Sequence, residues 1–248
     1  MTTTDQPKSS RHGLFLAGTL AGAAARVAVL PIDQGGAKGP VVAVVRRSLH
    51  FGLLFSIYIP LHQGRHEKLR TAKHKNAAQR AADAFVCGGI AGLVSRFLTA
   101  PFYRVADHAE RHACTQQAAF KHIVAYQAGY LGLWQTQHPL LAAFWHTGAV
   151  FLLFEMGRRT ADNLNIGNGP VENAVIGGTA AAIASAATFD WSRRRYTSCV
   201  LNESAILRGL MPTLAKEVPL WTVAFGLFTV LQPAVAPGYR NYGFGAWV

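Results

Sequence analysis

Six apolar segments alternate with hydrophilic stretches along the chain. Each is close to the length that a tilted helix needs to cross the hydrocarbon core of a bilayer. Several contain an arginine or a histidine, which is typical of membrane helices that face each other or a polar cavity. The segments are Leu14–Leu30, Val42–Leu61, Ala84–Ala100, Leu140–Met156, Val175–Thr188 and Val218–Leu231. The pattern predicts an all-α membrane protein with six transmembrane helices, and a solvated loop over His62–Arg80 between the second and third.

Composition and charge support a membrane location and narrow the list of partners. Half of the residues are hydrophobic and only 15% are charged, whereas soluble domains carry about a quarter. The formal net charge is +12, and basic residues that flank apolar segments suit anionic lipid head groups. Because no nucleic-acid-binding motif is present, we expect the lipid bilayer, and no nucleic acid, as a partner. The three cysteines are isolated in sequence, which indicates neither a disulfide framework nor a zinc site.

A short glycine-rich motif recurs in alternate apolar segments. The copies read Gly18-Thr-Leu-Ala-Gly22 with Pro31, Gly88-Gly-Ile-Ala-Gly92 with Pro101, and Gly177-Gly-Thr-Ala-Ala181 with Asp190 in the place of the proline. Small residues four positions apart allow two helices to approach closely. Three related copies, each followed by a basic stretch and another apolar segment, predict three tandem pseudo-repeats.

These motifs resemble those of the mitochondrial carrier family. In that family each odd-numbered helix carries the motif G-x-x-A-G and, after it, the motif P-x-[DE]-x-x-[KR]. Phe154-Glu155-Met-Gly-Arg158 and the run from Arg208-Gly209 to Pro219 also resemble motifs of this family. The resemblance covers residues 13–232 and implies the carrier fold. It implies a polar tail at 1–13, repeats at 14–82, 83–170 and 171–232, and an aromatic tail at 233–248. The steps between repeats are shorter than in the family, and only the second repeat keeps a candidate for the family's short matrix helix, at Ala118–Tyr126.

The resemblance implies two gates, which in the family are ionic networks that close a central cavity alternately. The matrix-gate positions are Asp33, Gly36, Tyr103, Ala106, Ser192 and Arg195, and the opposite-gate positions are Ile59, His62, Glu155, Arg158, Thr229 and Gln232. When these are paired in the family's order, no complete ion pair remains. A transporter needs such pairs to favour one state and then the other, so we expect transport to be lost.

The resemblance also implies binding positions. The family's substrate contacts correspond here to Arg46, to Ala142 or Ala143, and to Lys216. Two cations in a cavity suit an anionic solute, and they equally suit a lipid, water or an acidic partner group. A resemblance to the family's cardiolipin-binding motifs is present at Lys38-Gly39 and at Arg208-Gly209. Cardiolipin or another anionic lipid is therefore the one bound group that the sequence suggests.

Two functions follow as expectations. The first is a transport-inactive structural accessory subunit of a large complex of the mitochondrial inner membrane, such as a respiratory-chain complex, with the other subunits as partners. The alternative is a divergent carrier that exchanges a small anionic metabolite. No catalytic or metal site is expected, because His108 and His112 lie four residues apart without the order of the zinc-protease motif.

Overall fold

The computed structural model describes residues 9–31, 40–70, 77–127, 129–135, 140–167, 169–193 and 203–236. Within these ranges all regular structure is helical. The elements are α1 (Ser9–Val29), α2 (Pro40–Arg70), α3 (Ala77–Arg111), α4 (Gln116–Tyr126), a 3-10 helix (Gly129–Trp134), α5 (Leu140–Asn163), α6 (Pro170–Arg193) and α7 (Glu203–Val235). The prediction of an all-α chain is confirmed over these ranges.

Five of the described helices are long and apolar enough to cross a membrane. The stretches are Arg11–Val29, Val42–Arg65, Ala78–Ala109, Leu140–Asn163 and Gly209–Val235. The chain is therefore a multi-pass membrane protein. The remaining predicted segment, Val175–Thr188, lies in α6, which is as long as α5 but rich in alanine and glycine, residues of modest hydropathy. A sixth crossing stays a prediction.

Most of the helices extend well beyond the apolar segments that predict them. α2 continues to Arg70 and α3 begins at Ala77, so the predicted loop over His62–Arg80 is wrong for most of its length. The reason is that a helix satisfies its own backbone hydrogen bonds, so charged side chains do not need to end it. The short helix predicted at Ala118–Tyr126 is confirmed as α4. It begins after Thr115, whose Oγ1 accepts a hydrogen bond from the backbone N–H of Ala118 at 3.2 Å.

The six long described helices pack into a closed ring. α1 packs against α2 and α7, α3 against α2 and α5, and α6 against α5 and α7. The largest interfaces are those of the three pairs α1–α2, α3–α5 and α6–α7. The short helix α4 and the 3-10 helix pack beside α3, within the connection from α3 to α5.

Each of the three pairs is held by the same kind of close contact, in which a glycine of the first helix receives a phenylalanine of the second. A Cβ atom built on Gly22, Gly88 or Gly177 would lie 2.8, 2.8 or 2.9 Å from the Cβ of Phe51, Phe151 or Phe225 respectively. Any larger side chain would push the two helices apart. The recurring glycines are therefore packing residues that bring the helices of a pair together.

Candidate functional site

A layer of aromatic side chains fills the middle of the ring, and we call it the aromatic plug. Its members come from α2, α5 and α7, which are not neighbours around the ring, so their side chains meet across its interior. None is more than 4% exposed. The plug consists of Phe51, Phe55, Tyr58, Phe151, Phe154, Trp221, Phe225 and Phe228.

Rings within the plug are stacked in direct contact. Ring centroids lie 3.8 Å apart for Tyr58 and Phe151, and 4.0 Å apart for Phe55 and Phe228. Phe154 stacks on Phe225 at 4.2 Å. Aromatic pairs contribute about 0.5–1.5 kcal/mol each beyond the burial of their area. The plug is thus a continuous packed layer that ties three alternate helices together.

A cavity of about 480 Å³ lies beside the plug, toward the end of the ring where α2, α5 and α7 begin. A cavity of this size falls within the range of small-molecule sites, about 300–1,000 Å³. Its wall is mostly apolar, with a few charged and polar groups. The lining residues are Arg47, His50, Phe85, Arg96, Ala142, Ala143, Trp145, His146, Thr147, Ala149, Ser185, Ala187, Thr188, Phe189, Thr213, Glu217 and Trp221.

An ion pair between α2 and α7 crosses one side of this cavity. Arg47 Nη2 donates to Glu217 Oε1 at 2.9 Å, and the two side chains are 24% and 21% exposed. Trp221 of the plug donates its indole N–H to the other carboxylate oxygen of Glu217 at 3.1 Å. Because Glu217 holds both Arg47 and Trp221, the charged wall of the cavity is joined directly to the plug.

Two further arginines pack on one buried tyrosine. The guanidinium carbon of Arg96 lies 3.5 Å from the ring centroid of Tyr103, and that of Arg46 lies 4.3 Å from it. His50 meets the same ring edge-on at 6.5 Å. The Arg46 contact links α2 to α3, whereas Arg96 and Tyr103 both belong to α3, and the tyrosine stands where the carrier pattern has a carboxylate. Asp107 is the carboxylate within electrostatic range of both Arg46 and Arg96.

Histidine and hydroxyl side chains complete the polar part of the cavity. His146 Nδ1 and Thr188 Oγ1 are 3.2 Å apart, which joins α5 to α6. His50 Nδ1 and Ser185 Oγ are buried and have no hydrogen-bond partner among the described residues. Buried polar atoms are nearly always hydrogen-bonded, so these two atoms point to a bound molecule or water in the cavity.

The opposite end of the ring carries a network of neutral and charged hydrogen bonds. Arg158 Nη1 of α5 donates to Asn173 Oδ1 of α6 at 2.7 Å. Asn173 Nδ2 in turn donates to Thr229 Oγ1 of α7 at 3.3 Å. Glu155 pairs with Arg159 of its own helix at 2.7 Å. Asn173 therefore links α5, α6 and α7 at this end, and the exposed Arg65–Asp83 ion pair joins α2 to α3 there at 3.2 Å.

The predicted opposite-gate residues lie in this region, with partners that differ from those of the carrier pattern. Ile59, His62 and Gln232 are buried, at 4%, 6% and 2% exposure. The ring of His62 stacks on Tyr58 of the plug at 5.3 Å. Glu155 forms an ion pair with Arg159 that is local to one helical turn, a spacing that favours such pairs.

At two of the predicted cavity positions, the residue that lines the cavity is the next one along the helix. Ala142 and Ala143 line the cavity, but Arg46 and Lys216 do not, and Arg47 and Glu217 take their places. One residue along a helix turns a side chain by about 100°, so a pattern match that is right about the helical turn can still choose the wrong face.

Several predicted residues cannot be placed. Asp33, Gly36, Lys38, Gly39 and Arg195 lie outside the described residues. Ser192 and Arg208 fall in α6 and α7, but their side chains lie outside the described part. Gly209 is buried in α7, Ala106 is half-buried in α3, and Tyr103 is buried between its two arginines.

A group of three histidines lies away from the cavity. The ring centroids of His108 and His112 are 4.3 Å apart, and those of His108 and His122 are 4.9 Å apart. Within the described ranges, no group of three or more histidine, cysteine, aspartate or glutamate side chains is arranged to hold a metal ion.

The fold and the site define a multi-pass helical membrane protein whose ring is filled by aromatic side chains and which keeps a polar cavity beside that filling. No protein-family model matches this chain, and a search of curated proteins finds no match.

Proposed function

We propose that the chain is a transport-inactive relative of the mitochondrial carriers that serves as a structural accessory subunit of a large complex of the mitochondrial inner membrane. The observation that carries this proposal is the aromatic plug. A carrier must open its central path toward each side in turn. Here that path is occupied by eight buried aromatic side chains from the three helices that would have to separate.

The carrier relationship is supported by the order of helix contacts and by the recurring glycine contacts. Three consecutive helix pairs close into one ring, as three tandem repeats would. Each pair places a glycine of the first helix against a phenylalanine of the second. The three phenylalanines that fill these contacts, Phe51, Phe151 and Phe225, are also members of the plug. The contact recurs in each pair, although in the first pair it uses the last glycine of the motif, one helical turn from the glycine used in the other two.

The loss of transport is supported by the polar contacts at the two ends of the ring. Glu155 is held by Arg159 in the same helix, and Arg158 by an asparagine. At the cavity end, Arg46 and Arg96 pack on Tyr103 rather than on an acid. The ion pairs described between helices, Arg47–Glu217 and Arg65–Asp83, involve none of the positions that form the gates of the carriers. The described gate positions therefore offer no charge pair between helices that would differ between two conformations.

The experiment is gentle solubilisation of the mitochondrial membrane, followed by native electrophoresis and identification of the bands that contain this chain. We expect comigration with one large complex at a fixed stoichiometry. Depletion of the chain should then lower the amount of that complex. Migration as a free monomer, with the large complexes unchanged by depletion, would contradict the proposal.

The alternative is a divergent carrier of a small anion, and the cavity is the observation in its favour. Arg47, Arg96 and two histidines line a cavity of a size that suits a small anion. Purified protein in liposomes should then exchange a labelled organic anion, and Arg96→Gln should abolish that exchange. Arg65→Gln is the matched control, because Arg65 is an exposed partner of Asp83 outside the cavity. No exchange by the wild-type chain excludes this alternative for the anions tried.

A further inference from the structure

The cavity reaches the outer, lipid-facing surface between α5 and α6. Leu141, Trp145 and Met156 are exposed on α5, and Ile183 and Ala187 are exposed on α6. The positions on α5 belong to a membrane-spanning helix and face the lipid, and those on α6 continue the same exposed surface. Trp145 and Ala187 also line the cavity. The space therefore extends from the interior of the ring to the bilayer.

Small side chains create this opening. Ala142, Ala143 and Ala149 of α5 and Ala187 of α6 line the cavity where larger side chains would close the gap between the two helices. Phe85 and Phe189 add apolar surface to the same wall. The alanine and phenylalanine side chains in this part of the cavity give it an apolar surface that suits an acyl chain.

The inner wall carries an excess of positive charge. Arg47 and Arg96 line it together with one carboxylate, Glu217, which already binds Arg47. Asp107, the carboxylate within range of Arg96, is not among the lining residues. With the histidines neutral, the three arginines Arg46, Arg47 and Arg96 outnumber the carboxylates Glu217 and Asp107 by one. An excess positive charge within a membrane protein is unfavourable, so a single negative charge in the cavity would stabilise it.

Two polar atoms without hydrogen-bond partners among the described residues belong to side chains that line the same cavity. His50 is 8% exposed and Ser185 is 3% exposed, and His50 Nδ1 and Ser185 Oγ have no hydrogen-bond partner in the described structure. Both residues line the cavity. Both atoms can form a hydrogen bond with a polar head group that enters beside Arg96.

From these features we infer that the cavity is a binding site for a monoanionic lipid that enters from the bilayer between α5 and α6. Its phosphate contacts Arg96, His50 and Ser185, and an acyl chain leaves past Trp145 and Ala187. The site differs from the helix-start motifs at Lys38-Gly39 and Arg208-Gly209. It does not depend on the proposed role in a complex, because a transporter or a subunit could hold the lipid equally well.

The test is native mass spectrometry of the full chain, purified in detergent and mixed with phosphatidylglycerol or with the zwitterionic phosphatidylcholine. We expect one retained phosphatidylglycerol and little phosphatidylcholine. Ala187→Trp fills the opening and should weaken retention at least about tenfold, a change of about 1.4 kcal/mol. Ala186→Trp is the matched control, because Ala186 is exposed beside it but does not line the cavity. Arg96→Gln should remove the preference for the anionic lipid.

Three results would overturn the inference. The first is equal retention of the two lipids by the wild-type chain, because the inner wall would then not select a negative charge. The second is equal retention by the two tryptophan variants, because the path between α5 and α6 would then not be used. The third is displacement of the lipid by inorganic phosphate alone, which would make the cavity a site for free anions. Thermal unfolding of each variant verifies that it is folded.

Discussion

Asn173 offers the sharpest test of the packing described here, because it joins three helices through one buried amide. Its side chain is completely buried, accepts from Arg158 of α5 and donates to Thr229 of α7. Arg158 is itself only 4% exposed. Asn173→Leu keeps a similar volume but removes both hydrogen bonds. The variant leaves the guanidinium without this acceptor in a buried position.

The expected loss of stability follows from the two contacts. A hydrogen bond to a charged group contributes about 1.5–3 kcal/mol. A neutral hydrogen bond between membrane helices contributes about 0.6 kcal/mol on average. The 2.7 Å contact to Arg158 therefore dominates over the 3.3 Å contact to Thr229. We expect Asn173→Leu to lower the free energy of unfolding by about 2–4 kcal/mol, and Thr229→Val by less than about 1 kcal/mol.

The assay is reversible unfolding in mixed micelles of mild detergent and dodecyl sulfate, followed by tryptophan fluorescence. Asn163→Leu is the control, because Asn163 is exposed at the end of α5 and should change stability little. The double variant Arg158→Met with Asn173→Leu should regain stability relative to Asn173→Leu alone, since it removes the buried charge with its partner. Equal effects of Asn173→Leu and Asn163→Leu would refute the reasoning, as would a double variant that is less stable than Asn173→Leu.

Three further substitutions test other parts of the ring in the same assay. Phe55→Ala should lower the free energy of unfolding by about 3–5 kcal/mol, because it empties the centre of the plug; a loss below about 1 kcal/mol would show that the plug is not packed. Glu217→Gln should cost about 1–2 kcal/mol, because it breaks the half-buried ion pair with Arg47, and the loss should shrink in high salt. Gly88→Ala should cost about 1–3 kcal/mol by pushing on a phenylalanine of α5, whereas Gly64→Ala, which meets no atom within 4 Å, should stabilise α2 by about 0.5–1 kcal/mol. Equal effects of the two glycine variants would contradict the close packing.

The sequence predicts the helices better than it predicts which faces they present. Apolar runs locate the cores of the long helices, because burial in lipid requires them. The apolar pattern underestimates the lengths of these helices. α2 continues through polar sequence to Arg70, and α3 continues through polar sequence to Arg111. The glycine contacts follow from the motif, because a small residue has one structural use at a close helix crossing.

The polar contacts could not be predicted in the same way. Arg47 and Glu217 lie next to the positions chosen from the carrier pattern, and only their rotation about the helix axes makes them the pair that meets. Asn173 lies near the start of α6, outside every motif, so nothing in the sequence marks it as a link among three helices. Side chains of alternate helices meet across the ring only after all six long helices are in place. Such contacts depend on the tertiary structure and leave no local signal.

The plug and an occupied cavity both oppose an opening motion of this ring. Separating α2, α5 and α7 would break three stacked aromatic pairs, which contribute about 1.5–4.5 kcal/mol together beyond the apolar area that would be exposed. Moving a two-state equilibrium from one side to the other takes about 5.5 kcal/mol of differential binding. Trp221 of the plug and the Arg47–Glu217 pair line the cavity, so a ligand that contacts them would stabilise the closed arrangement that is already present. Occupancy of the cavity should therefore make the ring more rigid rather than open it. A rigid ring is compatible with the proposed role as a structural subunit. In that role, a lipid bound in the cavity would stabilise the closed arrangement of the helices.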